Sequence, residues 1–175
     1  MRQSDASTDR RKPTSKRPKG GAPVGVLSDL DPVPASAVMY LRLWCEGHRD
    51  QLRADLTPAL GPEVATRIGQ EFDHLCSLCI HHGRRRMCRH HLQCKCLGAD
   101  ESCFANLVDL AAAGEDADAM LIASLMLRAE QVPLSTALAQ SVGAALSRAK
   151  HEEDFGDDHL TAHSGQIYPT PQFTQ

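Results

Sequence analysis

The chain has 175 residues, of which 42% are hydrophobic and 23% charged, values typical of one globular domain. It contains no apolar run near the ~18 residues that a membrane span needs. The N-terminus also lacks the apolar core of a secretory signal. We therefore expect a cytoplasmic protein, nuclear if the host is eukaryotic, with no membrane partner.

Charge is distributed unevenly along the chain. The net charge is −3, but residues 1–20 contain seven Arg or Lys against two Asp, a net of +5, so the remainder carries −8. An acidic body is a poor general ligand for nucleic acid, because attraction to phosphate depends on clustered positive charge. Only the basic N-terminal segment and one internal segment could provide it.

Both ends of the chain have the composition of disordered segments. Residues 1–33 are rich in Pro, Gly, Ser and basic side chains without periodicity, and they predict a disordered basic arm. Residues 150–175 are acidic and turn-rich, and they predict a flexible C-terminal tail. The helical domain is expected over residues 34–149, with a Cys/His-rich loop at 76–103.

The middle of the chain has helical periodicity. Apolar residues recur every three or four positions in five stretches, with Gly47 a candidate break in the first, and no segment alternates like a strand. The stretch MLIASLMLR, which starts at Met120, has no polar face and predicts the central helix of the core. The sequence thus predicts an all-α fold, about five helices in one small bundle, with the Cys/His-rich loop between helices 2 and 3. The expected core includes Leu41, Leu56, Ile68, Phe72, Leu75, Phe104, Leu107, Met120, Leu121, Leu125, Leu134 and Val142.

Six of the seven cysteines lie in this loop, interleaved with four histidines. Thiolate and imidazole are the ligands of tetrahedral zinc. Two cysteines would share a face at a helix end, and two more would point the same way in extended chain, so the pairs could close a tetrahedron. The segment between them has almost no apolar residues, and a metal would brace it. The predicted zinc ligands are Cys76, Cys79, Cys94 and Cys96, with Cys103, Cys88, His90 and His91 as alternates.

Other chemistry could explain the same cysteines. An iron–sulfur cluster is the alternative cofactor, although neither ferredoxin-type spacing occurs. Thiol oxidation is a further interpretation. Cys79 also continues an apolar stripe, so core packing is the better interpretation of Cys79 taken alone, as it is of Cys45.

The segment from His81 to Cys96 contains five basic residues and no acid. Held by a metal, these charges would form a fixed positive patch for phosphate or an acidic partner. A solvated loop whose charges offset the acidic tail is an equal alternative. The candidate binding residues are Arg84, Arg85, Arg86, Arg89 and Lys95.

These patterns lead to an expected function. We expect a small zinc-binding regulatory or adaptor protein that uses a metal-braced basic loop to contact nucleic acid or a transcription-related partner. The alternatives are a thiol- or iron–sulfur-based redox or metal sensor, and an uncharacterised metalloenzyme. No Gly-rich phosphate loop, HExxH motif or nucleophile elbow occurs, so no catalytic residue is assigned and an enzyme is less favoured.

Overall fold

The computed structural model describes residues 19–162, with side chains from 19 to 151. Most of it is helical, as predicted, but two short strands add a small antiparallel sheet. No described helix combines the length and apolar character that a membrane crossing requires. The elements are β1 (Pro23–Val26), α1 (Pro32–Cys45), α2 (Gln51–Leu60), α3 (Pro62–His81), β2 (Cys96–Gly98), α4 (Ala99–Ala112), α5 (Asp116–Met126) and α6 (Val132–Ala162).

The described part of the chain has six α-helices, one more than predicted, because the first predicted stretch forms both α1 and α2. The chain turns at Gly47, whose φ of 95° lies in the left-handed region that favours glycine. Gly61, with φ of 78°, ends α2, and Pro62 begins α3 immediately afterwards. The structure therefore confirms a helix break at Gly47.

The core lies where α3, α4 and α6 meet, with α1 and α2 packed around it. Phe72 of α3 and Phe104 of α4 pack edge to face there, with ring centroids 6.3 Å apart. Gly143 allows α6 to approach α4, since a Cβ on it would stand 2.7 Å from Ala112 Cβ. The predicted core residues that are buried are Leu41, Leu56, Ile68, Phe72, Leu75, Phe104, Leu107 and Val142.

The prediction that the Met120 stretch forms the central helix is wrong. α5 packs against α4 and α6 through two fully buried small residues, Ala119 and Ala123. Three of its larger side chains face solvent: Met120, Leu121 and Leu125 are 41%, 61% and 59% exposed. Leu134, at the start of α6, is also exposed rather than in the core. When apolar residues lie on every side of a helix, its sequence does not show which side the neighbouring helices cover.

The segment before α1 has regular structure within the predicted disordered arm. β1 pairs with β2, so that Gly25 lies opposite Leu97 and Val26 opposite Cys96. Backbone pairing and the burial of Leu97 beside Leu27 stabilise this contact, which neither segment could form alone. At the other end α6 continues to Ala162, within the predicted tail. The remainder of the predicted arm and tail, residues 1–18 and 163–175, lies outside the described residues.

Candidate functional site

The basic loop, defined here as residues 82–95, connects α3 to β2. All five candidate binding residues within it are exposed. The loop begins as a short extension beside the end of α5, where Gly83 forms an antiparallel bridge with Leu127 and the Arg84 N–H donates to the Met126 carbonyl at 2.9 Å. Further anchors come from two carboxylates in the first turn of α4 and from Arg42 of α1.

Asp100 is the first of these carboxylates. Arg85 binds both of its oxygens, with Nη1 donating to Oδ2 at 2.8 Å. The Cys88 backbone N–H also donates to Oδ2 at 2.8 Å. A carboxylate near the N-terminus of a helix is favoured by the helix dipole. Asp100 therefore ties the first half of the basic loop to α4.

Glu101 is the second carboxylate, and it is fully buried. Its oxygens accept the backbone N–H groups of His90 and Gly98, each at 2.9 Å. The Arg42 side chain of α1 donates to the same carboxylate through Nε at 2.7 Å and Nη2 at 2.8 Å. Burial raises the pKa of Glu101, but the Arg42 guanidinium and the two amides more than offset this, so the pKa lies below its usual value.

Arg42 extends this network to the second half of the loop. It donates to the carbonyl oxygens of Cys94 at 2.6 Å, Cys96 at 2.7 Å and His91 at 3.4 Å. With the two bonds to Glu101, all five guanidinium N–H groups have partners. The structure thus provides a brace that the sequence led us to assign to a metal.

Sequence reasoning missed Arg42, although one signal was available. Arg42 is four residues after Val38 and three before Cys45, so it occupies the apolar stripe of α1. A charged residue at such a position is buried only when it is paired. Acidic residues are common in the first turn of a helix, so the position of its partner Glu101 in α4 did not indicate a buried ion pair.

The N-terminal segment meets the basic loop in space. Residues Lys19–Gly21 form a 3-10 turn beside the Arg85–Asp100 pair. A Cβ at Gly20 would overlap both the Asp100 carboxylate and the Arg85 guanidinium, so any other residue there would have to displace this ion pair. The described chain therefore begins, at Lys19, beside the basic loop.

The structure places the two pairs of predicted zinc ligands differently. Cys76 and Cys79 of α3 are buried in the core, and burial raises the pKa of both thiols, that of Cys79 to about 12. Cys94 and Cys96 lie half-buried where the basic loop enters β2. Their carbonyl groups are bound to Arg42.

One of the alternates, His90, is in contact with the predicted ligand Cys94. The Cys94 Sγ lies 3.4 Å from His90 Nδ1, and His90 Nε2 lies 3.2 Å from the Gly21 carbonyl oxygen. A carbonyl oxygen can only accept, so Nε2 is the donor to Gly21, and in the neutral imidazole Nδ1 is then the acceptor that faces the Cys94 sulfur. Cys103 lies apart from this pair, in a groove of ≈ 250 Å³ with Cys79 and Leu125. His91 is exposed near Glu46, and Cys88 lies beside the Arg86 carbonyl.

The residues present do not form a zinc coordination sphere. Across residues 19–151, no three His, Cys, Asp or Glu side chains converge as a metal ion would require. The sequence-based set of Cys76, Cys79, Cys94 and Cys96 is therefore not brought together. Zinc binding stays a prediction, and the loop has another anchor.

The five candidate binding residues differ in what their charges contact. Arg85 is paired with Asp100, and Arg89 lies 3.6 Å from the Glu46 carboxylate. Within the part of the chain that the structure describes, Arg84, Arg86 and Lys95 make no side-chain hydrogen bond or ion pair. These three charges remain available to a ligand.

Comparison of the chain with protein-family models, curated proteins and solved structures finds no match. The chemistry of the site therefore rests on its own residues and contacts.

Proposed function

We propose that this protein binds the phosphate backbone of nucleic acid through a basic surface. The surface is the basic loop, beside which the basic N-terminal segment ends at Gly21. The observation that carries the proposal is the contact of Gly20 with Arg85 and Asp100, because it places the end of the basic N-terminal segment, at Lys19 and Gly20, beside the basic loop.

Charge availability supports this proposal. Arg84, Arg86 and Lys95 are exposed and have no acidic partner among the described residues, whereas the charge of Arg85 is used to hold the loop. The preceding residues 1–20 add a net charge of +5. Clustered cations bind phosphates by releasing condensed counterions. The rest of the chain is acidic, which would disfavour binding elsewhere.

The shape of the loop supports it as well. Backbone atoms of the loop are held by Asp100, Glu101 and Arg42, so the free cations project from an ordered frame. A pre-ordered loop loses less conformational entropy on binding than a flexible one. No aromatic residue interrupts the loop, so we expect backbone contact without base stacking.

The test is the salt dependence of binding to a fluorescent DNA duplex, measured by anisotropy with the full chain. We expect binding that weakens as salt rises. The triple variant Arg84→Ala/Arg86→Ala/Lys95→Ala should lower the affinity and reduce the slope of log K against log salt by about 3, one per lost phosphate contact. Arg85 is left intact because its loss would disturb the loop itself.

A matched control removes the same charge from other surfaces. Arg53→Ala/Arg67→Ala/Arg148→Ala changes three exposed arginines of α2, α3 and α6 and should leave the affinity nearly unchanged. Equal losses in both triple variants would mean that only net charge matters. Absence of binding at low salt to DNA and to RNA would overturn the proposal and favour an acidic protein as partner.

A second candidate function is a thiol redox switch at Cys94. What supports it is the contact between Cys94 and His90, because the other ring nitrogen of His90 binds the Gly21 carbonyl oxygen. Attack of the Cys94 sulfur on hydrogen peroxide would form a sulfenic acid and release water. Dimedone labelling after peroxide, followed by mass spectrometry, should mark Cys94 first, and Cys94→Ser should abolish that label. Labelling spread evenly over the five half-buried cysteines would exclude a dedicated switch.

A further inference from the structure

The exposed side of α5 has the character of an interface. Leu121 and Leu125 are two of the most exposed large apolar side chains among the described residues, and Met120 lies beside them. They face solvent because α5 packs on the bundle through its other side, with Ala119 and Ala123 fully buried and Ile122 and Met126 partly buried against the core. Clustered apolar side chains of this kind mark association surfaces more often than scattered ones do.

The two ends of this side carry opposite charge. Glu115, Asp116 and Asp118 lie at the N-terminal end of α5, and all three are exposed. Arg128 follows its C-terminal end, and the bridge between Gly83 and Leu127 places Arg84 close by. Glu130 in the next turn reduces this positive charge without reversing it. None of Asp118, Arg128 and Arg84 has an ion-pair partner among residues 19–151.

We infer that the occupant of this surface is a second copy of the same chain, with the two α5 helices packed antiparallel about a twofold axis. A twofold contact presents the same patch from both copies. An axis perpendicular to α5 brings the acidic end of one copy against the basic end of the other. A parallel arrangement would instead oppose like charges, which is unfavourable.

The positions along α5 agree with this arrangement. When the axis crosses α5 at the level of position 123, on the exposed side opposite the buried Ala123 side chain, α5 residues equally spaced on either side of that position face each other. Leu121 then lies opposite Leu125 of the second copy, and Asp118 lies beside the C-terminal end of the second copy's α5, which Arg128 follows in extended backbone. Asp118, Leu121 and Leu125 share one side of the helix, because they are spaced by three and four residues. The apolar pairs thus lie at the centre, and the ion pairs lie at the rim.

The experiment is sedimentation equilibrium of the purified full chain over a wide concentration range. We expect the apparent mass to rise from 19.1 kDa towards twice that value. Asp118→Arg and Arg128→Asp should each weaken the dimer about tenfold, because each replaces two attractive rim pairs with repulsive ones. The double variant Asp118→Arg/Arg128→Asp should restore the dimer, since it recreates both pairs in reverse.

Glu63→Arg is the matched control, since Glu63 is an exposed acid in the first turn of α3. It should leave the dimer unchanged. Leu121→Asp provides a second route, and it should yield a monomer with an unchanged circular dichroism spectrum because Leu121 is mostly exposed. A chain that sediments at 19.1 kDa at every concentration would overturn the inference. A double variant no stronger than the single ones would overturn the antiparallel arrangement.

Discussion

Arg42 of α1 and Glu101 of α4 form a two-point ion pair inside the protein, and both side chains are 0% exposed. Burying two charges costs desolvation energy, which their attraction offsets only when the other donors and acceptors are also satisfied. Here the spare N–H groups of Arg42 bind loop carbonyls, and Glu101 accepts two backbone amides. The pair therefore orders the basic loop as well as joining two helices.

Removing Arg42 should be severely destabilising. Arg42→Met leaves Glu101 buried without its cation, and we expect the free energy of unfolding to fall by about 3–5 kcal/mol. The double variant Arg42→Met/Glu101→Leu should lose less than the sum of the two single losses, since it leaves no unpaired charge. Urea denaturation followed by circular dichroism measures these differences.

The control for this prediction is Arg67→Met, which breaks an exposed pair with Glu71 at 3.3 Å. Surface pairs contribute roughly 0–1 kcal/mol, so this loss should be small. Similar losses for the Arg42 and Arg67 variants would contradict the role given to the buried pair.

Stability should fall in acid partly because of Glu101. Its folded pKa lies below the value of about 4.3 expected in the unfolded chain, so its contribution is complete above that pH. The contribution is lost as pH falls through the lower, folded pKa. In Glu101→Gln this component is absent, and the stability difference between the two proteins should narrow below about pH 4. A stability difference that stays constant with pH would argue against this contribution of Glu101. Chemical denaturation at a series of pH values provides the comparison.

The seven cysteines should differ strongly in reactivity. Burial raises the pKa of Cys76, and raises that of Cys79 to about 12, so neither thiol should react with iodoacetamide in the native protein. Cys94, which is half-buried in the loop, should be modified much sooner. Peptide mapping by mass spectrometry gives the order. Early modification of Cys76 or Cys79 would mean that α3 opens readily.

Chelation should not unfold the basic loop. Its backbone is held by Arg42, Asp100 and Glu101, so treatment with EDTA should leave the melting temperature and the helical content unchanged. Elemental analysis before and after chelation shows whether any metal was present. A marked loss of stability together with release of zinc would instead favour the zinc site predicted from the cysteines.

Gly143→Ala should be destabilising even though alanine favours helices. The substitution gains about 1 kcal/mol of helix propensity. The new Cβ, however, would stand 2.7 Å from Ala112 Cβ and 2.8 Å from the Val108 carbonyl oxygen. Forcing α4 and α6 apart costs about 1–3 kcal/mol, so we expect a net loss in thermal denaturation. Ala144 is the control, because it lies on the exposed side of the same helix. Ala144→Gly should lower the stability only by the difference in helix propensity between the two residues. A stabilising Gly143→Ala would show that the two helices are free to separate.

Local features of this protein could be predicted from its sequence. The three- and four-residue spacing of apolar side chains predicted the helices and most of the core, including Phe72 and Phe104, because helix periodicity is a property of neighbouring residues. Glycine predicted the break near Gly47, since few other residues adopt a positive φ. The exposure of the basic loop followed from its composition alone.

Only the tertiary structure decided what covers each face and what holds the loop. α5 has apolar residues on every side, and the contacts of Ala119 and Ala123 with neighbouring helices left Leu121 and Leu125 in solvent. Arg42 and Glu101 are 59 residues apart, so no local pattern links them. The spacing of the cysteines suggested a metal brace, but spacing gives only the order of residues along the chain. The contacts of Arg42 and Glu101 with the basic loop depend on which helices pack together, and that is a property of the folded chain.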